Sequence, residues 1–589
     1  MQKWILKNSK ADYKKLSSNF GVSELICKII INRNIKDFKL IDSFINPDIN
    51  KFHNPRGMKD MELGVNRIKE SIYKRLKIRI CGDYDQDGTS SVITFYNGLK
   101  RCGANVDYVI PHRVMDGYGI NERIIEEAKR DGIDVIITCD NGISAAEPVK
   151  LAKELGMSVI VTDHHDIPYV ENEKEEKEYF LPEADAVINP KRLDCEYPFK
   201  ELCGAGVAFK FIQVLYEEMN IPIEESYELL EFVAMATVCD VVDLIDENRV
   251  IVREGLKRIN TTNNIGLQAL IKATGMEDKA VNTYSLGFVL GPCINASGRL
   301  DSAEMAVKLF LTKDPVKAEI YAKKLHDLNE QRKAMTIAGL EKVVEQIESS
   351  KLIKDKVLVV YEPSIHESIA GIIAGRVKDK YNKPTIVLTK SKEEGMAKGS
   401  ARSIEVYNMF EELSRCKDLL CKFGGHPMAA GLSLDFSNID KLRDQLNEKT
   451  ILTEEDLIPI VYIDAHVPLD MVSNHLPEEL KILEPFGKGN RKPLFAEKGV
   501  KIKKIDILGK DYKVMKMALV SKNGRILTGI HFGNVDSMQE YLAGKFGREA
   551  LNNAFAGQPN NIEIDITYLP SINEYRGNRT LQIVIQDYR

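Results

Sequence analysis

MSVIVTDHHDIP, residues 157–168, decides how this chain is read. Met157 to Val161 is a run of apolar and β-branched side chains, which suits a strand buried on both faces of a parallel sheet. The run breaks at once into Asp163, His164 and His165. That break sets three metal-capable or proton-transferring groups at the carboxyl end of a β-strand, the edge at which open α/β sheets form their sites.

The same pattern repeats upstream. LKIRICGD (76–83) ends in Asp83, NVDYVIP (105–111) is a second strand, and IDVIITCDNG (133–142) ends in Asp140. Between them NERIIEEAKRDG and ISAAEPVKLAKELG have helical patterns closed by Gly132 and Gly156, and DAVINP (185–190) reads as a further strand. Strands alternating with such helices argue for parallel βαβ units. ENEKEEKEYF (171–180) reads as a solvated charged insertion, and 204–258 turns helical around FVAMATVCDVVDL. Asp314-Pro315 suits the start of a helix. The pattern after it predicts one of about 50 Å. KVLVVYE and PTIVLTK, flanking IAGIIAGRVKDKY, mark a second α/β unit. Alternating short strands beyond about residue 455 predict a small antiparallel barrel. The expected division is a helical extension (1–55), a parallel-sheet domain (56–300), connecting helices (301–350), a smaller α/β domain (351–450) and the barrel (451–589).

Composition narrows the class. An apolar fraction of 44% and a charged fraction of 29% suit a globular protein with several cores. The net charge of −5 gives no overall basic character, so nucleic acid would need a local basic groove. MQKWILKNSK has no signal-peptide core, and no window is long and apolar enough to span a bilayer. The ten cysteines show no CxxC pairing, so reduced thiols and a cytoplasmic protein are expected. No GxGxxG follows a strand, which disfavours dinucleotide chemistry.

The acids carry the chemistry. Asp83, Asp85 and Asp87 alternate in GDYDQDG and repel one another unless a cation neutralises them. Asp240 interrupts an apolar run in VCDVVDL, and buried lone acids are rare unless paired or metal-bound. Carboxylates mixed with imidazole favour Mn²⁺ or Mg²⁺. Two such ions about 4 Å apart would clamp a phosphoryl group, a phosphoesterase arrangement.

GDYDQDG, TCDNG, VTDHH and VCDVVDL, in that order, resemble the motifs of the DHH phosphoesterase superfamily. NASGRL, LNEQR, HESIAGIIAGRV, GSARS, FGGHPMAAG and LEPFGKGN extend the resemblance to its single-strand-specific exonuclease members, over residues 75–495. The resemblance implies Asp85, Asp87, Asp140, His164 and Asp240 as metal ligands, with Asp140 bridging and Asp83 a further ligand. It implies that His165 meets the scissile phosphate or assists proton transfer, and that Asp163 orients His164 from behind. In the DHH-associated domain it implies phosphate contacts from Arg299, Gln331, Arg376 and Arg402, with Ser400, His366, Gly424, Gly425 and His426 lining the cleft. The PHRVMDGYG loop is similar to a family loop, and Arg113 in it is given no role. Ile365 and Ser368 depart from the pattern, which usually has tryptophan and glycine there. The barrel would be an OB-fold guiding DNA with Lys501, Lys503, Lys504, Lys510, Lys513 and Lys516, and with Tyr512 and Phe532 as stacking candidates.

The implied activity is 5′→3′ hydrolysis of single-stranded DNA to mononucleotides with two Mn²⁺ or Mg²⁺ ions, in recombination and repair. A monomer is expected, with single-stranded DNA, a single-strand-binding protein and a helicase as partners and no membrane. The alternatives are a hydrolase of oligoribonucleotides or of 3′-phosphoadenosine phosphate, whose shorter chains lack the barrel, and an inactive nucleic-acid-binding scaffold.

Overall fold

A computed structural model of the protein describes residues 2–113, 115–171, 177–509, 513–575 and 577–589. The chain forms two compact units, one of residues 52–242 and 250–458, the other of residues 1–51, 243–249 and 459–589.

In the first unit, five parallel strands form a sheet in the order Asn105–Val109, Lys77–Cys81, Val135–Cys139, Ser158–Thr162, Ala186–Ile188. Val135–Cys139 and Ser158–Thr162 are buried throughout, Thr138, Ser158 and Thr162 included, as strands built on Val and Ile and covered on both faces require. The chain leaves Lys77–Cys81 to one side and returns to place Val135–Cys139 on the other. The strand order therefore reverses between the two strands that end in Asp83 and Asp140. Such a reversal opens a crevice at the carboxyl ends of the strands. NASGRL lies inside a helix, Gly291–Leu300, with a separate helix at Glu304–Leu311.

The long helix spans Pro315–Glu348, 34 residues, and starts where Asp314 accepts the backbone N–H groups of Val316 and Lys317. Its buried positions, Ala318, Ala322, Leu325, Asn329, Thr336, Gly339, Val343 and Ile347, follow helical spacing along one stripe. At Gly339 a Cβ would stand 2.6 Å from Ile373 Cδ1, so glycine lets Glu367–Tyr381 pack closely. The second sheet runs Lys422–His426, Ala429–Asp435, Met396–Arg402, Thr385–Lys390, Leu358–Tyr361, and among these only the last two strands pair in parallel.

In the other unit, strands Phe495–Leu508, Val514–Val520, Ile526–His531, Asn578–Tyr588 and Glu563–Tyr575 close into a barrel, because Phe495–Leu508 also pairs with Glu563–Tyr575. Its pairings are antiparallel except one: Ile526–His531 runs parallel to Asn578–Tyr588. Helices Val535–Phe546 and Arg548–Ala556 and the strand Glu563–Tyr575 together make the connection this needs, since parallel neighbours cannot be joined by a tight turn. Residues 1–51 are not a separate helical extension. Lys3–Leu6 is a strand paired in parallel with Ile460–Ile463, and Ile26, Ile29, Ile30 and Phe44 share one core with Phe495, Val500 and Tyr568. The fully buried Arg249 joins these parts, donating to the carbonyls of Phe44, Ile482 and Leu483. Lys510, Tyr512, Val114 and residues 172–176 of the charged insertion lie outside the described residues.

Candidate metal centre and phosphate cleft

Each acid sits where a strand or helix ends. Asp85 caps Gln86–Arg101, its carboxylate accepting the N–H groups of Asp87 and Gly88. A side chain at Gly88 would strike the Asp83 backbone at 2.5 Å, so this tight turn needs glycine. Asp87 is held by the N-terminus of Gly204–Glu218: Gly204 and Ala205 donate to its carboxylate at 2.6 and 2.8 Å. Charge-assisted bonds from helix N–H groups favour the ionised acid, but burial outweighs them and raises the Asp87 pKa above the ordinary range. Asp140 adopts φ 61°, a left-handed turn that aspartate tolerates better than most residues. Asp240 ends Leu230–Cys239.

These ends converge. His164 Nε2 lies 3.0 Å from Asp140, 3.5 Å from Asp87 and 3.8 Å from Asp240. Three triads, Asp83–Asp85–Asp140, Asp87–His164–Asp240 and Asp140–His164–His165, each hold ligand atoms within 4.8 Å of one another. Asp140 belongs to two of them, and so does His164. Burial, followed by the neighbouring carboxylates, raises the pKa of Asp83, Asp140 and Asp240 well above the ordinary range. Burial also brings the His164 imidazole down to about 4, leaving it neutral and able to ligate. One oxygen of Asp83 is buried without a hydrogen-bond partner. Crowded, desolvated carboxylates around a neutral imidazole fit a pair of hard divalent cations, and Mn²⁺ or Mg²⁺ matches the donor set.

Asp163 orients His165 rather than His164. Its Oδ1 lies 2.7 Å from His165 Nδ1 and also accepts the backbone N–H groups of His164 and His165, while Oδ2 accepts Ile143 N–H. Burial opposes charge on both partners. The pairing outweighs it, bringing Asp163 to about 2 and His165 up to about 9. The His165 side chain is 44% exposed, so a cationic ring faces the crevice. Tyr118 donates to the Asp140 carbonyl at 2.9 Å and its hydroxyl lies 3.3 Å from the His165 ring. Neither the Asp163–His165 pairing nor Tyr118's part in it is visible in sequence order.

Beside the metal centre is a cleft of about 250 Å³ lined by Arg113, Arg299, Ser368, Lys398, Ser400 and Arg402, among others. Arg113 stacks over Tyr84 of GDYDQDG at 4.8 Å, which gives this residue a place. Arg299 donates to the Ser368 carbonyl, and Arg402 donates to Ser400 Oγ at 2.9 Å. Burial, followed by Arg113, lowers the pKa of Arg299 to about 10 and also lowers that of Arg402. Clustered, desolvated guanidinium groups suit an anion bound bidentately.

His366 caps Glu367–Tyr381, and its Nδ1 lies 2.7 Å from the hydroxyl of Ser368, the residue that departs from the family pattern. In LNEQR the structure brings Arg332, not Gln331, to the cations: Gln331 is exposed, whereas the charges of Arg299 and Arg376 bear on Arg332. Arg376 is exposed. Gly424, Gly425 and His426 are exposed on a hairpin; the pKa of Asp166, next to the DHH triplet, is lowered chiefly by its hydrogen bond from Lys191, with a smaller contribution from the charge of His426. Gly425 has φ 151°, and a Cβ there would meet the Ala429 carbonyl at 2.3 Å. Lys191, absent from the sequence reading, pairs with Asp166 at 2.9 Å, and its charge bears on His164 and Asp240.

Comparison with known proteins finds three patterns along the chain. The pattern described as "DHH family, N-terminal domain" matches residues 77–237, "DHHA1 domain" residues 354–451, and "RecJ OB domain" residues 463–587. The chain is 34% identical over 588 residues to the single-stranded-DNA-specific exonuclease RecJ of Bacillus subtilis, covering 99% of this chain and 70% of that one. With the protein of the same name from Escherichia coli it shares 33% over 554 residues, covering 89% and 90%. Among solved structures, RecJ of Thermus thermophilus in complex with Mn²⁺ superposes with a TM-score of 0.81 at 24% identity, covering 100% of this chain and 79% of that one. A structure of exonuclease RecJ bound to manganese matches at TM-score 0.58 and 30% identity, covering 68% and 96%.

Proposed function

The chain belongs to the RecJ family of single-stranded-DNA-specific exonucleases, and from that premise we propose that it hydrolyses single-stranded DNA from the 5′ end, releasing mononucleotides. The observation that carries this reading is Asp140, which stands within ligand reach of two acidic groups at the point where the sheet reverses. Asp83, Asp85, Asp87, Asp140, His164 and Asp240 would hold two divalent cations, Mn²⁺ or Mg²⁺. When bound, such ions polarise a phosphoryl oxygen and make a bound water more acidic.

The chain's own groups do the rest. The N-terminus of Gly204–Glu218 fixes the Asp87 carboxylate, so the ligand is ordered before substrate arrives. Asp163 keeps His165 cationic and turned toward the crevice, where the ring can bind the scissile phosphate or hand a proton to the leaving oxygen. Tyr118, half-exposed at the crevice, donates to the Asp140 carbonyl and so steadies its backbone. Arg113, Arg299 and Arg402 bind the strand's phosphate in the adjoining cleft, with Arg332, Arg376, His366, Ser400 and the Gly424–Gly425–His426 hairpin beside them. Gln331 keeps no part in this reading.

A hydrolase of oligoribonucleotides or of 3′-phosphoadenosine phosphate would not need the barrel, and a scaffold would not retain the whole acidic set. The expected monomer and its single-strand-binding-protein and helicase partners belong to the same proposal. So does a place in the cytoplasm, which ten unbridged cysteines support. Among the described residues no helix is long and apolar enough to cross a membrane. The test is end-labelled single-stranded DNA with Mn²⁺. A 5′ label should appear as mononucleotide at once and a 3′ label only late; early release of the 3′ label overturns the polarity.

A further inference from the structure

Tyr284 and Phe288 are 66% and 68% exposed, yet their rings stack on one another, centroids 4.9 Å apart and planes 25° apart. Large aromatics usually bury most of their 150–250 Å². Here two of them lie in water face to face, each with its outer face free. Phe288 lies within a π-helical turn, Leu286–Leu290, and Tyr284 just before it, a rare geometry found frequently at functional sites.

The turn is fixed to the catalytic side of the first unit. Cys239, the residue before Asp240, donates to the Leu286 carbonyl at 3.5 Å, and a Cβ on Gly291 would come 2.3 Å from its sulfur. Val241, just after Asp240, is itself 58% exposed. The helix then continues through Asn295, which accepts Gln86 N–H of GDYDQDG at 2.8 Å, to Arg299 in the phosphate cleft. Beyond the π turn, positions 292, 295 and 299 recur at α-helical spacing, and all three, like Phe288, are at least partly exposed. A strand whose phosphate sits at Arg299 has only to follow those positions to reach the aromatic pair.

We propose that Tyr284 and Phe288 form a stacking platform for bases a few nucleotides in from the phosphate held at Arg299, an inference that rests on the nuclease reading above. Stacking on an aromatic face is tolerant of sequence because every base has a π-face. A docking protein would call instead for a broad apolar patch. Around this pair Asn282 is exposed and Thr283 half-buried.

The experiment uses the full chain and 5′-phosphorylated oligothymidylates of graded length, scored by KM with Mn²⁺ and by fluorescence anisotropy. Phe288→Ala should raise KM for a 12-mer about 5- to 100-fold, the range for losing one base–aromatic stack. The penalty should grow with length until the strand spans the platform, and Phe288→Trp should restore it. With 2-aminopurine walked along the 12-mer, wild-type quenching should peak at interior positions and vanish in Tyr284→Ala/Phe288→Ala. An equal penalty at every length, no penalty at any length, or a wild-type dimer dissolved by Phe288→Ala would overturn the platform. A wild-type enzyme that binds the 12-mer without cleaving it would overturn the nuclease reading, while anisotropy would still score the platform.

Discussion

At the scale of single residues, the DHH triplet divides its labour through one carboxylate. Asp163 is fully buried, and its two oxygens accept three backbone N–H groups and pair with one imidazole. Asparagine there keeps the shape but loses the charge that holds His165 cationic. Asp163→Asn should therefore lower kcat by about 100-fold, the scale of a proton-transfer or charge contribution, and ¹⁵N NMR of the His165 ring should show the loss of its raised pKa. A variant whose ring stays cationic would remove Asp163 from this role. Asp140 has a different weight. Asp140→Ala takes a ligand from two triads at once, so turnover should fall below detection while the variant still retards single-stranded DNA in a gel. Full activity would end the two-metal reading. The family resemblance singled out both acids and assigned Asp163 to His164, whereas its carboxylate pairs with the His165 ring. The choice depends on side-chain rotamers at the strand end, which spacing does not encode. Lys191 and Arg332 were missed for a related reason: lysine and arginine on a loop or helix read as solvated until the fold turns them toward a buried charge.

At the scale of elements, legibility follows how local each signal is. The parallel strands were readable because burial on both faces writes them as continuous apolar runs, and Asp314-Pro315 announced the long helix. Lys3–Leu6 was not readable, being four residues whose partner, Ile460–Ile463, lies in the last third of the chain. The helix Leu230–Cys239 carries a testable cost of its own. Glu231 in its first turn accepts Thr262 Oγ1–H at 2.6 Å, and burial raises its pKa to about 7. The folded protein thus holds this proton more tightly than the unfolded chain, in which the acid titrates near its ordinary value of about 4.3. The stability so gained is fully present below that value, falls as pH rises toward 7, and is gone above it. Glu231→Gln keeps an acceptor for Thr262 without the buried charge. It should raise stability at pH 8 by roughly 1–2 kcal/mol, less than the full shift implies because solvent screens a partly buried group. In thermal melts the gain should shrink toward zero at pH 4. An equal gain at both pH values would show that packing rather than ionisation is responsible.

At the scale of the whole molecule, every residue assigned to the metal centre and phosphate cleft lies between Asp83 and His426, inside one unit. The other unit is assembled from both ends of the chain, and this changes what a truncation can mean. Removing residues 459–589 alone would strip the cover from Ile26, Ile29, Ile30, Ile41 and Phe44, each at most 2% exposed in the native core. At about 2 kcal/mol for each large apolar side chain returned to water, the loss is on the order of 10 kcal/mol, as much as an entire domain's stability. Lys3–Leu6 would also become an unpaired edge, a template for aggregation. A protein ending at residue 458 should therefore bind a hydrophobic dye and elute as aggregates. Removing residues 1–51 as well should restore a monomer, since of the second unit only 243–249 would remain, led by an arginine that water can solvate. That 52–458 protein should still cleave short oligonucleotides in Mn²⁺ and lose affinity mainly for long ones. If 1–458 is monomeric and binds no dye, the two ends do not share a core. If 52–458 binds long and short strands as the full chain does, the barrel contributes nothing to substrate.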